Sequence, residues 1–232
     1  GTTQRQMAVG ASKNHHHGSL NPKAQYRFEV SVDEVLADRA ISFPLTRAMC
    51  APMGDGAAAA LLCSEAALAH FPREVQSRAV LVRTSQLSGG KYRQLDEPGL
   101  SRIAADKAYA RSGLKPADMH LAEVHDATSF CEIYQLEMLR LCEEGQGGRC
   151  VESGATALGG RLPVNVSGGL VSKGHPVGAT GLSMVYEVCQ QLRGEAGARQ
   201  VKGASLGLIE NGGGVMGFDE AACAIHILEK SS

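Results

Sequence analysis

Strand-like and helix-like segments alternate along most of this chain. "AVLVRTSQLS" (79–88) alternates apolar and polar residues as a strand does, and "LSRIAADKAYARS" (100–112) has the pattern of a helix that Gly113 ends. The alternation continues with a strand at 120–127, a helix at 129–144, a strand in "LPVNVSG", a helix at 179–193, and closing strands in "GASLGLIENGGG" and "ACAIHILEK". This order predicts an α/β domain in which a five-stranded mixed sheet carries helices on both faces.

The first 48 residues follow a different pattern. A helix is predicted at 2–14, and residues 18–48 form an irregular excursion with one short helix at 31–38. We expect a boundary after residue 48, with the excursion lying across the mouth of a pocket and 49–232 forming the main domain. In that domain, "GDGAAAALLCSE" predicts a glycine turn and a strand of small apolar residues, followed by a helix at 64–71.

Neither the run of three histidines nor the set of cysteines indicates a metal site. His15, His16 and His17 are consecutive, so they cannot all face one ion, and we expect them at a surface helix end. The seven cysteines are odd in number and include no C-x-x-C pair, which argues against a disulfide framework or a thiolate zinc site. Buried free thiols are the expected state, as in a cytoplasmic protein.

Composition narrows the functional classes further. The chain is 44% hydrophobic and 20% charged, with a formal net charge of −1, which is ordinary for a globular protein and gives no basic surface for nucleic acid. The most apolar run, residues 57–69, is interrupted by Ser64 and Glu65 and is too short to cross a bilayer. We therefore expect neither a nucleic-acid partner nor a membrane span.

Polar residues stand at three strand or turn ends where apolar ones would pack more favourably. They are His125–Asp126 after "LAEV", His175 after "GGLVSKG", and Glu210–Asn211 after "SLGLI". In open α/β sheets functional groups gather at such ends, so we expect these residues to converge. The alternatives are a histidine that only satisfies a turn and a carboxylate that caps one or pairs with a nearby cation.

Four segments together resemble the C-terminal part of a thiolase, with the sterol-carrier-protein type as the nearest branch. They are "SKGHPVGATG", "EVHDATSF", "MGDGAAAALLCSEAALA" and "LRGEAGARQV", and the resemblance runs from about residue 1 to residue 229. It implies a thiolase-type layered fold, of which this chain is the C-terminal half plus a short loop excursion. It also implies acyl-CoA C-acyltransferase chemistry with coenzyme A as a substrate and no metal.

The resemblance assigns roles to individual residues. His175 matches the Gly-His-Pro histidine, which takes the proton from a nucleophilic cysteine and contributes to an oxyanion hole; an imidazole titrates near neutral pH, as that role needs. His125 occupies the position of the residue that holds a water or donor facing the thioester oxygen. Gly212 would offer its backbone N–H to an oxyanion. Asp126 is expected to support the turn.

The chain also departs from the family pattern. The reactive cysteine of thiolases lies in the N-terminal half, and none of the seven cysteines here has its motif. Where thiolases carry Cys-x-Gly, this chain has Glu210-Asn211-Gly212, and Ala127 replaces the cysteine that the sterol-carrier branch places after His-Asp. Glu210 is then the remaining candidate acid or base, with a pKa raised by burial.

These departures leave more than one function open. The leading hypothesis is an acyltransferase that needs a separate N-terminal thiolase half and forms homo-oligomers, so that the isolated chain is inactive. The alternatives are a retro-aldolase of the same fold, working with a partner that has an OB-fold and a zinc ribbon, and a non-catalytic CoA-binding subunit.

Overall fold

The computed structural model describes residues 1–231. The helices are α1 (Gln4–Ser19), α2 (Val32–Ala37), α3 (Glu65–Leu68), α4 (Arg73–Gln76), α5 (Leu100–Ser112), α6 (Ser129–Met138), α7 (Gly147–Glu152), α8 (Gly169–Lys173) and α9 (Thr180–Arg193). The strands are β1 (Ala40–Ser42), β2 (Leu45–Thr46), β3 (Val80–Gly89), β4 (Leu121–Glu123), β5 (Leu206–Gly213) and β6 (Ala222–Lys230). The fold is mixed α/β, as the sequence predicts.

The main sheet contains β3, β6, β5 and β4 in that order. β6 pairs antiparallel with β3 on one side and with β5 on the other, and β5 pairs parallel with β4. β1 and β2 form a separate two-stranded ribbon. Because β5 and β4 run in the same direction, the residues that follow β4 emerge beside the last residues of β5.

Helices cover both faces of this sheet, and successive residues of β5 show it. Leu208 is fully buried in one apolar cluster with Ala104 of α5, whereas Ile209 is fully buried in another with Val188 of α9. Burying an aliphatic side chain of this size contributes about 1.5–3 kcal/mol to the free energy of unfolding. The period-2 alternation of the strand therefore holds α5 and α9 on opposite faces.

The prediction of a fifth full strand in "LPVNVSG" is wrong. Val164 makes one isolated parallel bridge to Ala122 at the edge of the sheet. The next residue, Asn165, has a φ of 55°, which bends the chain away from the sheet. The Asn165 side-chain oxygen then accepts the backbone N–H of Val124 at 2.8 Å, where a longer strand would have supplied a carbonyl.

The strand predicted in 54–65 is also absent from the described residues. Residues 54–64 have no regular secondary structure, and Leu61 and Leu62 are 83% and 79% exposed. Among residues 1–231 no strand lies beside this run, so it has no partner for hydrogen bonding and does not form a strand despite its β propensity.

The N-terminal helix is longer and more buried than predicted. α1 extends to Ser19, and its Met7 and Ala11 belong to the same buried cluster as residues of α5 and α6. His15 and His17 are buried rather than at the surface, and His16 alone of the three is exposed. The Nδ1 atom of His17 lies 3.0 Å from the Asn165 carbonyl, and its Nε2 accepts the Leu158 N–H at 3.0 Å.

The excursion after α1 rests on α8. The backbone N–H groups of Gln25 and Tyr26 donate to the carbonyls of Lys173 and Ser172, each at 2.9 Å. The excursion is thus hydrogen-bonded to the end of the helix that leads to His175. The proposed domain boundary after residue 48 stays a prediction. No helix in the described part of the chain has the length and apolar character needed to cross a membrane.

Candidate active site

The structure brings His125 and His175 together. His125 follows β4, and His175 follows α8 on a separate loop, yet their ring centroids are 5.0 Å apart and the rings meet edge to face at 83°. Both residues are half-buried. Two of the three polar ends singled out in the sequence therefore form one pair of imidazoles.

A short extended segment, Cys50–Met53, lies between the two histidine loops. The Ala51 N–H donates to the Ala127 carbonyl at 3.0 Å, and the His175 N–H donates to the Pro52 carbonyl at 3.1 Å. Single bridges join Cys50 to Thr128 and Met53 to His175. Backbone hydrogen bonds thus hold both loops to one segment.

Asp126 ties the His125 loop to the helix that precedes His175. Its fully buried carboxylate accepts the Leu170 N–H at 2.6 Å and the Asn14 side-chain amide at 2.8 Å. Gly169 has a φ of 59°, and a Cβ there would collide with the same carboxylate. Asp126 therefore positions α8 and has no free face for a substrate.

The His175 ring is anchored through one nitrogen. Its Nδ1 lies 2.8 Å from the Thr180 hydroxyl, which itself donates to the Pro176 carbonyl at 3.3 Å. When the hydroxyl donates to that carbonyl, its oxygen accepts the Nδ1 proton of His175, and the lone pair of the ring is then on Nε2. Nε2 has no hydrogen-bond partner within residues 1–231, so in this tautomer its lone pair is free to act as a base.

Both imidazoles are held neutral. Burial lowers the pKa of His125 to about 4, with further lowering from His175 and Lys173. Burial also lowers the pKa of His175, and the nearby Lys173 ammonium adds to this. The Lys173 Nζ is buried without a hydrogen bond to any described residue and lies 3.9 Å from the Glu123 carboxylate.

Glu210 lies beneath His125 rather than beside the imidazoles. Its carboxyl group is fully buried and accepts the His125 N–H at 2.9 Å, while the Cys223 thiol lies 3.6 Å away. Burial, followed by the charge of Glu220, raises the pKa of Glu210 to about 8. The group is thus mostly protonated at neutral pH, and its acid–base role stays a prediction.

Gly212 is close to the same carboxyl. Its backbone N–H favours the ionised form of Glu210 and so counters part of the pKa rise that burial causes there. A side chain at position 212 would collide with the Glu220 carboxylate, which would have to shift to admit it. The oxyanion role that the sequence assigned to the Gly212 N–H stays a prediction.

A cavity of about 820 Å³ opens beside His125. Its wall includes Cys131 and the Glu220 carboxylate, which accepts the Ser101 hydroxyl at 3.0 Å and the Gln135 amide at 3.1 Å. Sequence reasoning gave no role to Glu220, Cys223 or Lys173. Lys173 lies inside the quoted "SKGHPVGATG" motif, but Glu220 and Cys223 reach Glu210 through the register of β5 against β6, which the sequence does not reveal.

Glu210, Glu220 and Cys223 are the residues in the described chain best placed to hold a metal ion. Their ligand atoms lie within 4.8 Å of one another. Burial raises the pKa of both carboxyls and of the thiol. Because carboxyl and thiol groups bind metals in their deprotonated forms, this set would bind a cation only after losing protons.

Residues 92–229 match the thiolase C-terminal domain-like family. The chain belongs to the thiolase family. The resemblance inferred from its motifs is therefore confirmed. The relatives include sterol carrier protein 2 of Bos taurus, 44% identical over 96% of this chain and 44% of the relative. Acetyl-CoA acetyltransferase of Methanothermobacter thermautotrophicus is 41% identical over 99% of this chain and 59% of the relative.

The thiolase fold also appears among solved structures. An Ltp2–ChsH2(DUF35) aldolase superposes with a TM-score of 0.83 and 22% identity, over 99% of this chain and 59% of that one. The chain thus spans about half the length of the relatives that it matches.

Proposed function

We propose that this chain is the C-terminal half of a thiolase-type acyl-CoA C-acyltransferase and that His175 is its base. The observation that carries the proposal is the His175 ring, whose Nδ1 is anchored to Thr180 while Nε2 stays unpartnered beside His125. The 41% identity to an acetyl-CoA acetyltransferase supports the reaction class. Coenzyme A thioesters are the proposed substrates.

In the proposed reaction, His175 Nε2 takes the proton of a cysteine thiol from an N-terminal half. The thiolate attacks the 3-keto carbon of the acyl-CoA, and the bond to the α-carbon breaks as acetyl-CoA leaves as its enolate. A proton then returns to that α-carbon. A second CoA thiol takes the acyl group from the cysteine. The neutral His125 beside His175 would orient a water or donate to the thioester oxygen.

Glu210 is the proposed source of the proton for the α-carbon, as it is a neutral acid at pH 7. It is fully buried, whereas Glu220 lines the cavity next to His125 and also raises the Glu210 pKa. A proton would pass from Glu210 to the cavity through this second carboxyl.

The N-terminal half would dock on apolar residues near His175. Met53, which bridges to His175, is 86% exposed, and Leu61 and Leu62 project from the same connection. Single exposed apolar side chains are ordinary, but three on the segment that begins beside the proposed base support a contact surface. Association into homo-oligomers of such complete subunits is part of the proposal.

The test is thiolysis of acetoacetyl-CoA by the complete enzyme. His175→Ala should lower kcat by about 10²–10⁴-fold, the usual contribution of a general base, with little change in thermal stability. His16→Gln is the matched control, because His16 is exposed and its ring hydrogen-bonds to the exposed Glu29, away from His175. Full activity of His175→Ala would overturn the proposal. If Glu210→Gln is also fully active, the proton comes from water or from another group.

A retro-aldolase with an OB-fold and zinc-ribbon partner is the second candidate. The superposition on an aldolase at TM-score 0.83 favours it, as do Ala127 and Glu210 at positions where thiolases carry cysteines. Acyl-enzyme trapping separates the two reactions. A covalent acyl-cysteine detected by mass spectrometry supports acyl transfer, whereas cleavage without one supports the aldolase. Binding of CoA with neither reaction would indicate a non-catalytic subunit.

A further inference from the structure

The cavity beside His125 is large enough to hold more than a catalytic centre. Its lining comes mainly from α6 and from two loops, 93–99 and 214–220. Its volume of about 820 Å³ lies within the range of about 300–1,000 Å³ that is usual for small-molecule pockets. The cavity can therefore hold a ligand group far larger than an acetyl unit next to His125.

Three aromatic rings line this cavity. Phe130 and Tyr134, one turn apart on α6, stack with ring centroids 6.3 Å apart and planes 25° from parallel. Phe218 belongs to the 214–220 loop, and the Arg93 guanidinium lies 4.7 Å from its ring centroid. Phe130 and Phe218 are 41% and 55% exposed, so both keep ring surface open to a ligand. Because aromatic rings pack favourably on one another in stacked or edge-to-face arrangements, this wall favours a ligand that carries a ring.

The charged side chains around the rings are mostly acidic. Two arginines line the cavity, and both are engaged with other groups of the protein. Arg93 forms an ion pair with Asp219, and Arg102 donates to the carbonyls of Glu137 and Met138 at 2.6 and 2.8 Å. The acidic lining residues are Asp96, Glu97, Glu137, Glu144, Asp219 and Glu220. A ligand carboxylate would meet an excess of negative charge here, so the cavity favours an uncharged group.

We propose that this cavity binds the acyl group of the substrate, and that this group is uncharged and ends in an aromatic ring. The inference rests on the proposed function, in which the thioester of an acyl-CoA lies beside His125. Because His125 is part of the cavity wall, an acyl chain that extends from that thioester enters the cavity. Its terminal ring then packs on Phe130, Tyr134 and Phe218, which are the specificity-determining residues.

The first test measures binding without reaction. Thioether analogues of acyl-CoA have no carbonyl carbon for a nucleophile to attack, and isothermal titration calorimetry with the complete protein gives their Kd values. S-(5-phenylpentyl)-CoA should bind about three- to tenfold more tightly than S-octyl-CoA, because its ring can stack. It should also bind more tightly than S-[5-(4-carboxyphenyl)pentyl]-CoA, whose ring carries a negative charge. Equal or tighter binding of either comparison ligand would overturn the proposal.

The second test removes one ring of the wall. Phe130→Ala should reduce the preference for S-(5-phenylpentyl)-CoA over S-octyl-CoA by about threefold or more. The Kd of S-octyl-CoA for the same variant shows whether the protein is folded. Phe71→Ala is the matched control, because Phe71 is 37% exposed and does not line the cavity, and it should keep the preference of the unaltered protein. An unchanged preference in both Phe130→Ala and Phe218→Ala would overturn the assignment of the rings.

Binding and turnover distinguish this inference from the proposed function. If His175→Ala keeps full activity, the proposed function fails, yet a preference of that variant for the phenyl analogue would still support a ring-binding cavity. If turnover depends on His175 while the three analogues bind equally, the proposed function stands and the assignment of the cavity is wrong.

Discussion

At the scale of single residues, the charge of Lys173 influences the pKa of both histidines in the site. The buried Lys173 ammonium makes no hydrogen bond to a described residue but has the Glu123 carboxylate 3.9 Å away. It lies where it lowers the pKa of both His125 and His175. A base that is neutral at working pH can accept a proton at once. In the proposed function, Lys173 would act by lowering the pKa of the two histidines rather than by contacting a substrate.

Removing that charge should raise the pKa of both imidazoles. Lys173→Met keeps most of the buried stem and eliminates the repulsion that disfavours the protonated rings. Histidine NMR titrations should show both midpoints moving to higher pH, and the acidic limb of the activity profile should move the same way. Lys115→Met, at an exposed position, should leave them in place. Unchanged midpoints in Lys173→Met would contradict the electrostatic role.

Glu210 should make the stability of the protein depend on pH. Its folded pKa of about 8 lies above its ordinary value of 4.5, so between these values the folded state keeps a proton that the unfolded state has released. This contribution is fully present below pH 4.5 and is lost as the pH rises toward 8, by at most about 1.4 kcal/mol per pH unit.

Glu210→Gln should flatten that fall, because an amide does not titrate. Urea midpoints measured between pH 5 and pH 8 would reveal the difference in slope. Glu65→Gln, at an exposed residue of α3, should keep the slope of the unaltered protein. Parallel slopes in all three proteins would show that Glu210 titrates at an ordinary pKa.

At the scale of elements, the sequence predicts the units with strong local signals. α5 and β6 lie where predicted, and α9 begins one residue later than predicted. The ends of α5 and α9 are predicted correctly because Gly113 and Gly194 end these helices in the left-handed conformation. The predictions for 54–65 and 162–168 fail, since a strand needs a neighbouring edge that local propensity does not supply. α7 and α8 were not predicted, as both are too short to show a helical period.

Gly169 connects an element to the site, and its replacement should be unusually harmful. Gly169→Ala places a methyl group against the Asp126 carboxylate at a φ of 59°, so α8 and the His175 that follows it must shift. Backbone strain alone costs about 1–3 kcal/mol, so with the collision added we expect the free energy of unfolding to fall by more than that, and kcat to fall as well.

Gly113→Ala separates backbone strain from collision. Gly113 has a φ of 72° with open space around it, so alanine there meets the strain alone. Its cost should be about 1 kcal/mol, with kcat unchanged. Equal losses in the two variants, measured by urea unfolding, would show that contact with Asp126 has no energetic consequence.

At the scale of the whole molecule, the residues that meet in the site come from distant parts of the chain. His125 follows a strand, as the sequence predicts, whereas His175 follows α8, a helix that was not predicted, and the fold brings their rings to 5.0 Å. The burial of Glu210 beneath His125, and its neighbours Glu220 and Cys223, depend on the pairing of β5 with β6 across an eight-residue connection. This strand pairing is a property of the tertiary structure and cannot be predicted from a local sequence pattern.

The isolated 232-residue chain should associate or precipitate. Leu61 and Leu62 are largely exposed on a segment without a neighbouring strand among the described residues, and unpaired apolar segments of this kind aggregate. Replacing both with Ser should increase the soluble fraction of the isolated chain and weaken its association with an N-terminal half. A monomer in sedimentation with a sharp cooperative melt, without any substitution, would contradict this expectation.

The segment Cys50–Met53 holds both histidine loops through main-chain atoms alone. Main-chain hydrogen bonds do not depend on which side chains the segment carries. Substitutions of the exposed Met53 side chain can therefore change the neighbouring surface while the spacing of the two imidazoles is preserved. Such a segment would allow the surface beside the two imidazoles to change while the histidine pair is kept.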